Sequence, residues 1–169
     1  MNDNLDRKID PRSKVSSLLK ENKKKILFFF FITIFSAFTL MLLNINSEKK
    51  NKLLSEKYIQ ASVHIATNEN EKALSLLEEI IKAKNKFYSV LALNTLLEKK
   101  LDNDSKKILD YFNIVQNINL EREQKDLIIF KKALYLKKIL DEDGGNELLN
   151  NLINSNSKLK NLAEVVLAK

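Results

Sequence analysis

No cysteine occurs anywhere in the 169 residues, so neither a disulfide framework nor a thiolate metal site can form. The chain has two glycines and one proline, too little turn punctuation for a β architecture, and an all-α fold is expected. A single histidine, His64, excludes Ser-His-Asp and Cys-His catalysis unless that one residue supplies every proton transfer. It falls between Val63 and Ile65 in a helical pattern, where a packed or half-exposed histidine is the ordinary reading. Carboxylate pairs, Glu78-Glu79 and Glu121/Glu123, lie on lysine-rich helices and read as solvated faces. No catalytic constellation, cofactor motif or metal-ligand spacing is visible. The Gly144-Gly145 pair follows no strand and makes no phosphate loop.

What the chain does contain is unevenly placed. Six of its nine phenylalanines fall between Phe28 and Phe38. From Ile26 to Leu43 no residue is charged, and the uncharged stretch continues through Ser47. At about 1.5 Å per helical residue, the first part spans roughly 27 Å, close to a hydrocarbon core of about 30 Å. Thirteen of those residues are Ile, Leu or Phe, which favours insertion by several kcal/mol, about 0.3–0.6 kcal/mol for each. The run is too long for the apolar core of a cleaved signal peptide and lacks a small-x-small cleavage site. It is read as an uncleaved anchor, with Ile26, Phe28, Phe31, Phe35 and Leu43 among its lipid-facing residues.

The net charge of +7 is concentrated before this run, where residues 1–25 hold eight Lys/Arg against four Asp/Glu. Such a flank has a topological explanation, and nucleic acid is not expected as a partner. Four lysines, Lys49, Lys50, Lys52 and Lys57, follow the run closely. The asymmetry places residues 1–25 in the cytoplasm as a basic tail, makes 26–47 the transmembrane anchor and translocates 48–169.

Helical periodicity recurs beyond the anchor. Leu54, Tyr58, Ala61 and Ile65 mark a first helix, Ala73 to Ile81 a second, and Tyr88 to Leu96 a third. Ile108, Phe112 and Val115 mark a fourth, N-capped by Asn103 or Asp104. A fifth runs from about Leu120 to Asp141 with an apolar face wide enough to pack on two sides, and Gly144-Gly145 is expected to close it. On that reading Asp141, Glu142 and Asp143 sit at an unfavourable C-terminus. A sixth helix holds Leu148 to Ile153, and a seventh spans Leu159 to Ala168. Similar segments recur at steps of 35 and 40 residues, Glu71-Leu74, Lys106-Leu109 and Asn146-Leu149, near the helical-hairpin repeat of about 34. Three hairpins and a capping helix satisfy the stacking requirement of a solenoid.

The chain resembles a tetratricopeptide repeat protein. That family places a small residue in the first helix of a repeat and another twelve positions later; Ala61 and Ala73 match, followed by Leu77. Asp104, twelve after Ala92, and Gly145, twelve after Ala133, are read as departures. The layout of basic tail, anchor and irregular repeats, with Asn85-Lys86-Phe87-Tyr88-Ser89-Val90-Leu91-Ala92-Leu93 and Leu162-Ala163-Glu164, is similar to the bacterial family of ancillary SecYEG translocon subunits. The resemblance implies a non-enzymatic protein of the bacterial inner membrane with a periplasmic helical domain. Its implied partners are the bilayer, translocon subunits and periplasmic chaperones, with no small-molecule substrate. Tyr58, Tyr88, Phe112, Phe130 and Tyr135 are the candidate residues for a peptide-binding concave face or its core. A self-assembling envelope scaffold is the alternative, and an unrecognised enzyme a more distant one.

Overall fold

A computed structural model describes residues 22–168, apart from the side chains at 26, 37, 40 and 42–46. The basic tail through residue 21 and the side chains of Ile26 and Leu43 therefore lie outside the described residues. The described part is all-α: α1 (Lys23–Ala66), α2 (Asn70–Lys82), α3 (Tyr88–Lys99), α4 (Ser105–Gln116), α5 (Arg122–Lys138), α6 (Glu142–Asn154) and α7 (Lys160–Leu167). The chain divides into two units, Met1–Lys49 and Lys50–Lys169, with α1 continuing through the boundary. The residues read from the sequence as an anchor and as a first repeat helix thus fall within one helical segment.

In the first unit the described apolar side chains are exposed, Phe28, Phe31 and Phe35 among them. The hydroxyls of Thr33 and Thr39 donate back to the carbonyls of Phe30 and Phe35 at 2.8 Å, so the polar side chains among them are satisfied within the helix. Among the described residues no helix is long and apolar enough to cross a membrane.

The second unit has two apolar clusters. The larger gathers Leu54 and Ala61 of α1, Leu77, Ile80 and Ile81 of α2, Ala92, Leu93 and Leu96 of α3, the buried face of α4, and Ile128 of α5. The smaller contains Ala133, Leu149, Leu152 and Ala163, with Ile129 and Phe130 packed against it. Helix α5 serves both, as its wide apolar face predicts.

Hydrogen bonds tie successive hairpins at nearly constant spacing. Tyr58 Oη and Thr95 Oγ1 meet at 2.8 Å across 37 residues, and Lys131 Nζ donates to Asn94 Oδ1 at 2.6 Å across 37 more. These join α1 to α3 and α3 to α5, the first helices of consecutive hairpins. Tyr111 of α4 donates to Glu78 of α2 at 2.6 Å, joining second helices. Ser157 donates to Asp126 Oδ2 at 2.6 Å, and Arg122 donates to the Ser155 carbonyl.

The glycine pair corrects the sequence reading. Helix α5 closes at Lys138 with Leu140 at φ 66°, and Gly144 and Gly145 lie in the first turn of α6 with no positive φ. Asp141 is the N-cap of α6, accepting from the Gly144 N–H at 3.0 Å, and Glu142 and Asp143 occupy its first turn. The acidic cluster therefore sits at the electropositive end of a helix, where it stabilises. Gly145 is buried, and a Cβ there would meet the Ala133 carbonyl at 3.0 Å and Lys137 Cγ at 2.6 Å. Gly145 therefore packs closely on α5 beside Ala133. Asp104 does depart from the small-residue pattern, because it caps α4, accepting from the N–H groups of Lys106 and Lys107.

Helix ends are closed without glycine. Asn68, Lys84, Lys100, Leu140 and Asn156 all adopt positive φ just past a helix. At four of them the next residue's N–H returns to a carbonyl five residues back: Glu69 to His64, Leu101 to Leu96, Asp141 to Leu136 and Ser157 to Leu152. These are Schellman closures, which satisfy carbonyls the helix itself cannot. At Lys84 a side chain completes the motif. The Asn85 N–H donates to Ser89 Oγ at 2.9 Å, and that hydroxyl donates to the Ile80 carbonyl at 2.7 Å. Ser89 is fully buried, so its hydroxyl relays the bond in place of water.

Candidate functional site

Helices α3, α4 and α5, with the α3–α4 loop, enclose a cleft of about 590 Å³. The floor is Leu96, Ile108 and Phe112, which belong to the larger apolar cluster. Its walls are Leu97, Leu134, Tyr135 and Ile139, and its rim carries Lys100, Lys131, Lys138 and Glu98. The α3–α4 connection, Lys100 to Asp104, contributes Lys100, Asp102 and Asn103 to the lining. Asp102 Oδ1 fixes that loop by accepting from the Asp104 N–H at 2.9 Å.

Of the five aromatic candidates the structure brings together two. Phe112 and Tyr135 lie with ring centroids 5.9 Å apart, and the Tyr135 hydroxyl donates to Ser105 Oγ at 3.2 Å. Tyr58 and Tyr88 pack instead against the side of the larger cluster, and Phe130 against the smaller one. The aromatic spacing alone did not separate these environments, because each residue lies on an apolar helical face. The cleft's lysines carried no motif signal; their common edge arises only when α3 and α5 come together.

Behind the cleft Asp102 Oδ2 is buried with no hydrogen-bond partner among the described residues. Tyr111, itself 4% exposed, donates to Glu78 Oε1, and Lys82 Nζ donates to Glu78 Oε2 at 3.0 Å. Burial, then the hydrogen bond and charge of Glu78, push the Tyr111 hydroxyl well above its ordinary range, with Asp102 acting in the same direction. Burial alone would raise Glu78, but the bonds from Tyr111 and Lys82 outweigh it and hold the carboxyl below the usual glutamate value. The Glu78-Glu79 pair is split, since Glu79 bonds Lys57 at 2.5 Å. Glu123 is likewise committed, to Lys158 at 2.8 Å.

His64 is half-buried, with Nδ1 against Glu69 Oε2. Lys72 holds the other oxygen of Glu69 at 2.8 Å, and first this bond, then the one from His64, keeps the Glu69 carboxyl low. These bonds tie the end of α1 to the start of α2 across the α1–α2 turn. Burial lowers the Lys132 ammonium, whose partners are the side-chain oxygens of Asn113 at 2.8 Å and Gln116 at 3.3 Å.

The arrangement offers an apolar trough with a largely cationic rim and no paired nucleophile and base. Comparison with protein-family models, curated proteins and solved structures finds no match for this chain.

Proposed function

We propose that this chain is a single-pass membrane protein of the bacterial inner membrane, anchored through 26–47. Its tetratricopeptide-like helical solenoid, 48–169, is a non-enzymatic protein-interaction module. On this reading the domain is periplasmic, the tail is cytoplasmic, and the partners belong to the SecYEG translocon or the periplasmic chaperone machinery. Support for the anchor comes from the uncharged sequence run and from the exposed phenylalanines of the first unit, a contiguous apolar surface that water disfavours. Cross-links at 37-residue spacing support the repeat reading. The observation that carries the interaction role is the cleft between α3, α4 and α5, an apolar trough edged by lysines.

Site-specific photo-crosslinking in living cells tests it. A crosslinker at Leu134 or Tyr135 yields adducts with translocon subunits or periplasmic chaperones, and one at exposed Val63 does not. Equal labelling from all three positions, or none from the cleft, removes the proposal. A self-assembling scaffold is favoured by one observation, the exposed Leu162 and Val165 on α7. Sedimentation of the detergent-solubilised chain as a monomer eliminates that alternative.

A further inference from the structure

The α2–α3 turn holds a phenylalanine out in solvent. Phe87 is 65% exposed, although it adjoins a well-packed helix. Asn85 fixes the turn with all of its polar groups. Its Oδ1 accepts from the N–H groups of Phe87 and Tyr88 at 3.0 and 2.9 Å, and its backbone N–H enters the Ser89 relay. Its Nδ2 donates to Asn51 Oδ1 of α1 at 2.7 Å. The Phe87 ring stands edge-on to Tyr88, with centroids 5.0 Å apart.

Asn51 follows closely in sequence on the uncharged run that ends at Ser47. Three residues separate it from Ser47, and a step of four positions along any backbone reaches no more than about 14 Å. The turn also carries Lys84 and Lys86, and on α1 Lys50 and Lys52 stand roughly 100° to either side of Asn51. All four lysines are exposed, and none forms an ion pair among the described residues. An exposed aromatic on a hydrogen-bonded turn that also carries unpaired cations fits the boundary of an anionic bilayer, the aromatic at headgroup depth and the ammonium groups among phosphates.

We infer that the Asn51–Asn85 corner, through Phe87, Lys50, Lys52, Lys84 and Lys86, is a second membrane contact that seats the helical domain on the anionic lipid surface. This rests on the anchor reading. With the anchor in the bilayer, the chain itself keeps the corner near its ligand.

The chain contains no tryptophan, so one introduced residue reports alone. Three full-length variants, Phe87→Trp, Phe35→Trp and Val165→Trp, are reconstituted into vesicles of phosphatidylglycerol and phosphatidylcholine carrying brominated lipid. The proposal expects blue-shifted, quenched emission from Phe87→Trp, strongest with bromine near the headgroup, and none from Val165→Trp. Adding Lys84→Ala and Lys86→Ala lowers the docked-to-undocked ratio roughly thirty-fold, counting about fivefold per lysine. Phe87→Trp emission like that of Val165→Trp, with Phe35→Trp quenched, overturns the docking and leaves the anchor standing. An unquenched Phe35→Trp removes the anchor and the docking with it. Quenching of Phe87→Trp that is equal in pure phosphatidylcholine and indifferent to the lysine changes overturns the anionic-lipid assignment. A blue shift already present in detergent assigns the site to protein and overturns it as well.

Discussion

Leu140 is the residue whose conformation costs most for least return. It is 88% exposed and sits at φ 66°, a left-handed geometry that costs an L-residue roughly 1–2 kcal/mol. Leu140→Gly relieves that strain with little packing to lose. After glycine's own entropy loss of roughly 0.5–1 kcal/mol, a net gain of about 0.5–1 kcal/mol is expected as a higher midpoint in denaturant unfolding. Tyr111 makes a second case at this scale. Glu78 is depressed in the folded state, so its contribution is present above the ordinary value of 4.5 and is lost as pH falls through the lower folded value. Tyr111 is raised, so its contribution is full below 10.0 and is lost as pH climbs beyond that. Tyr111→Phe costs about 1–3 kcal/mol at neutral pH and flattens the stability profile at both ends, as denaturation across a pH series would show.

At the scale of elements, the Ser89 hydroxyl closes the α2–α3 connection from within, beside the side-chain bonds of Asn85. Ser89→Ala leaves the Ile80 carbonyl and the Asn85 N–H without their shared partner inside the larger cluster. A loss of about 1–3 kcal/mol is expected, with faster amide exchange at Asn85 than elsewhere in the turn. The helices themselves were legible, because the 3.6-residue apolar pattern of α2 to α7 depends only on which side faces a neighbour. Where they end was less so. Glycine is the usual marker of a left-handed closure, yet this chain uses asparagine, lysine and leucine there and spends a glycine on close helix packing at Gly145. Asp104 was legible as a cap because its chemistry is local. The cleft was not, since Lys100, Lys131 and Lys138 share a rim only through the meeting of α3 with α5.

Across the whole second unit, the two apolar clusters differ greatly in size, and α5 belongs to both. Stability in stacked hairpins is built from neighbouring interfaces, so the smaller cluster is expected to open at lower cost. Native-state hydrogen exchange should give α6 and α7 lower opening free energies than α2 to α4. Leu149→Ala, expected to cost about 2–5 kcal/mol, should widen that difference without altering exchange in α3.

The regular spacing of the cross-hairpin bonds bears on how this molecule is made. No hydrogen-bonded link described in the second unit spans more than 37 residues, so no part of it waits for a distant stretch of chain. Such local topology folds quickly, and each hairpin can settle on the one before it. A polypeptide delivered through a narrow passage from its N-terminus can therefore acquire its structure in order of arrival, with α1 already in place to receive α2 and α3.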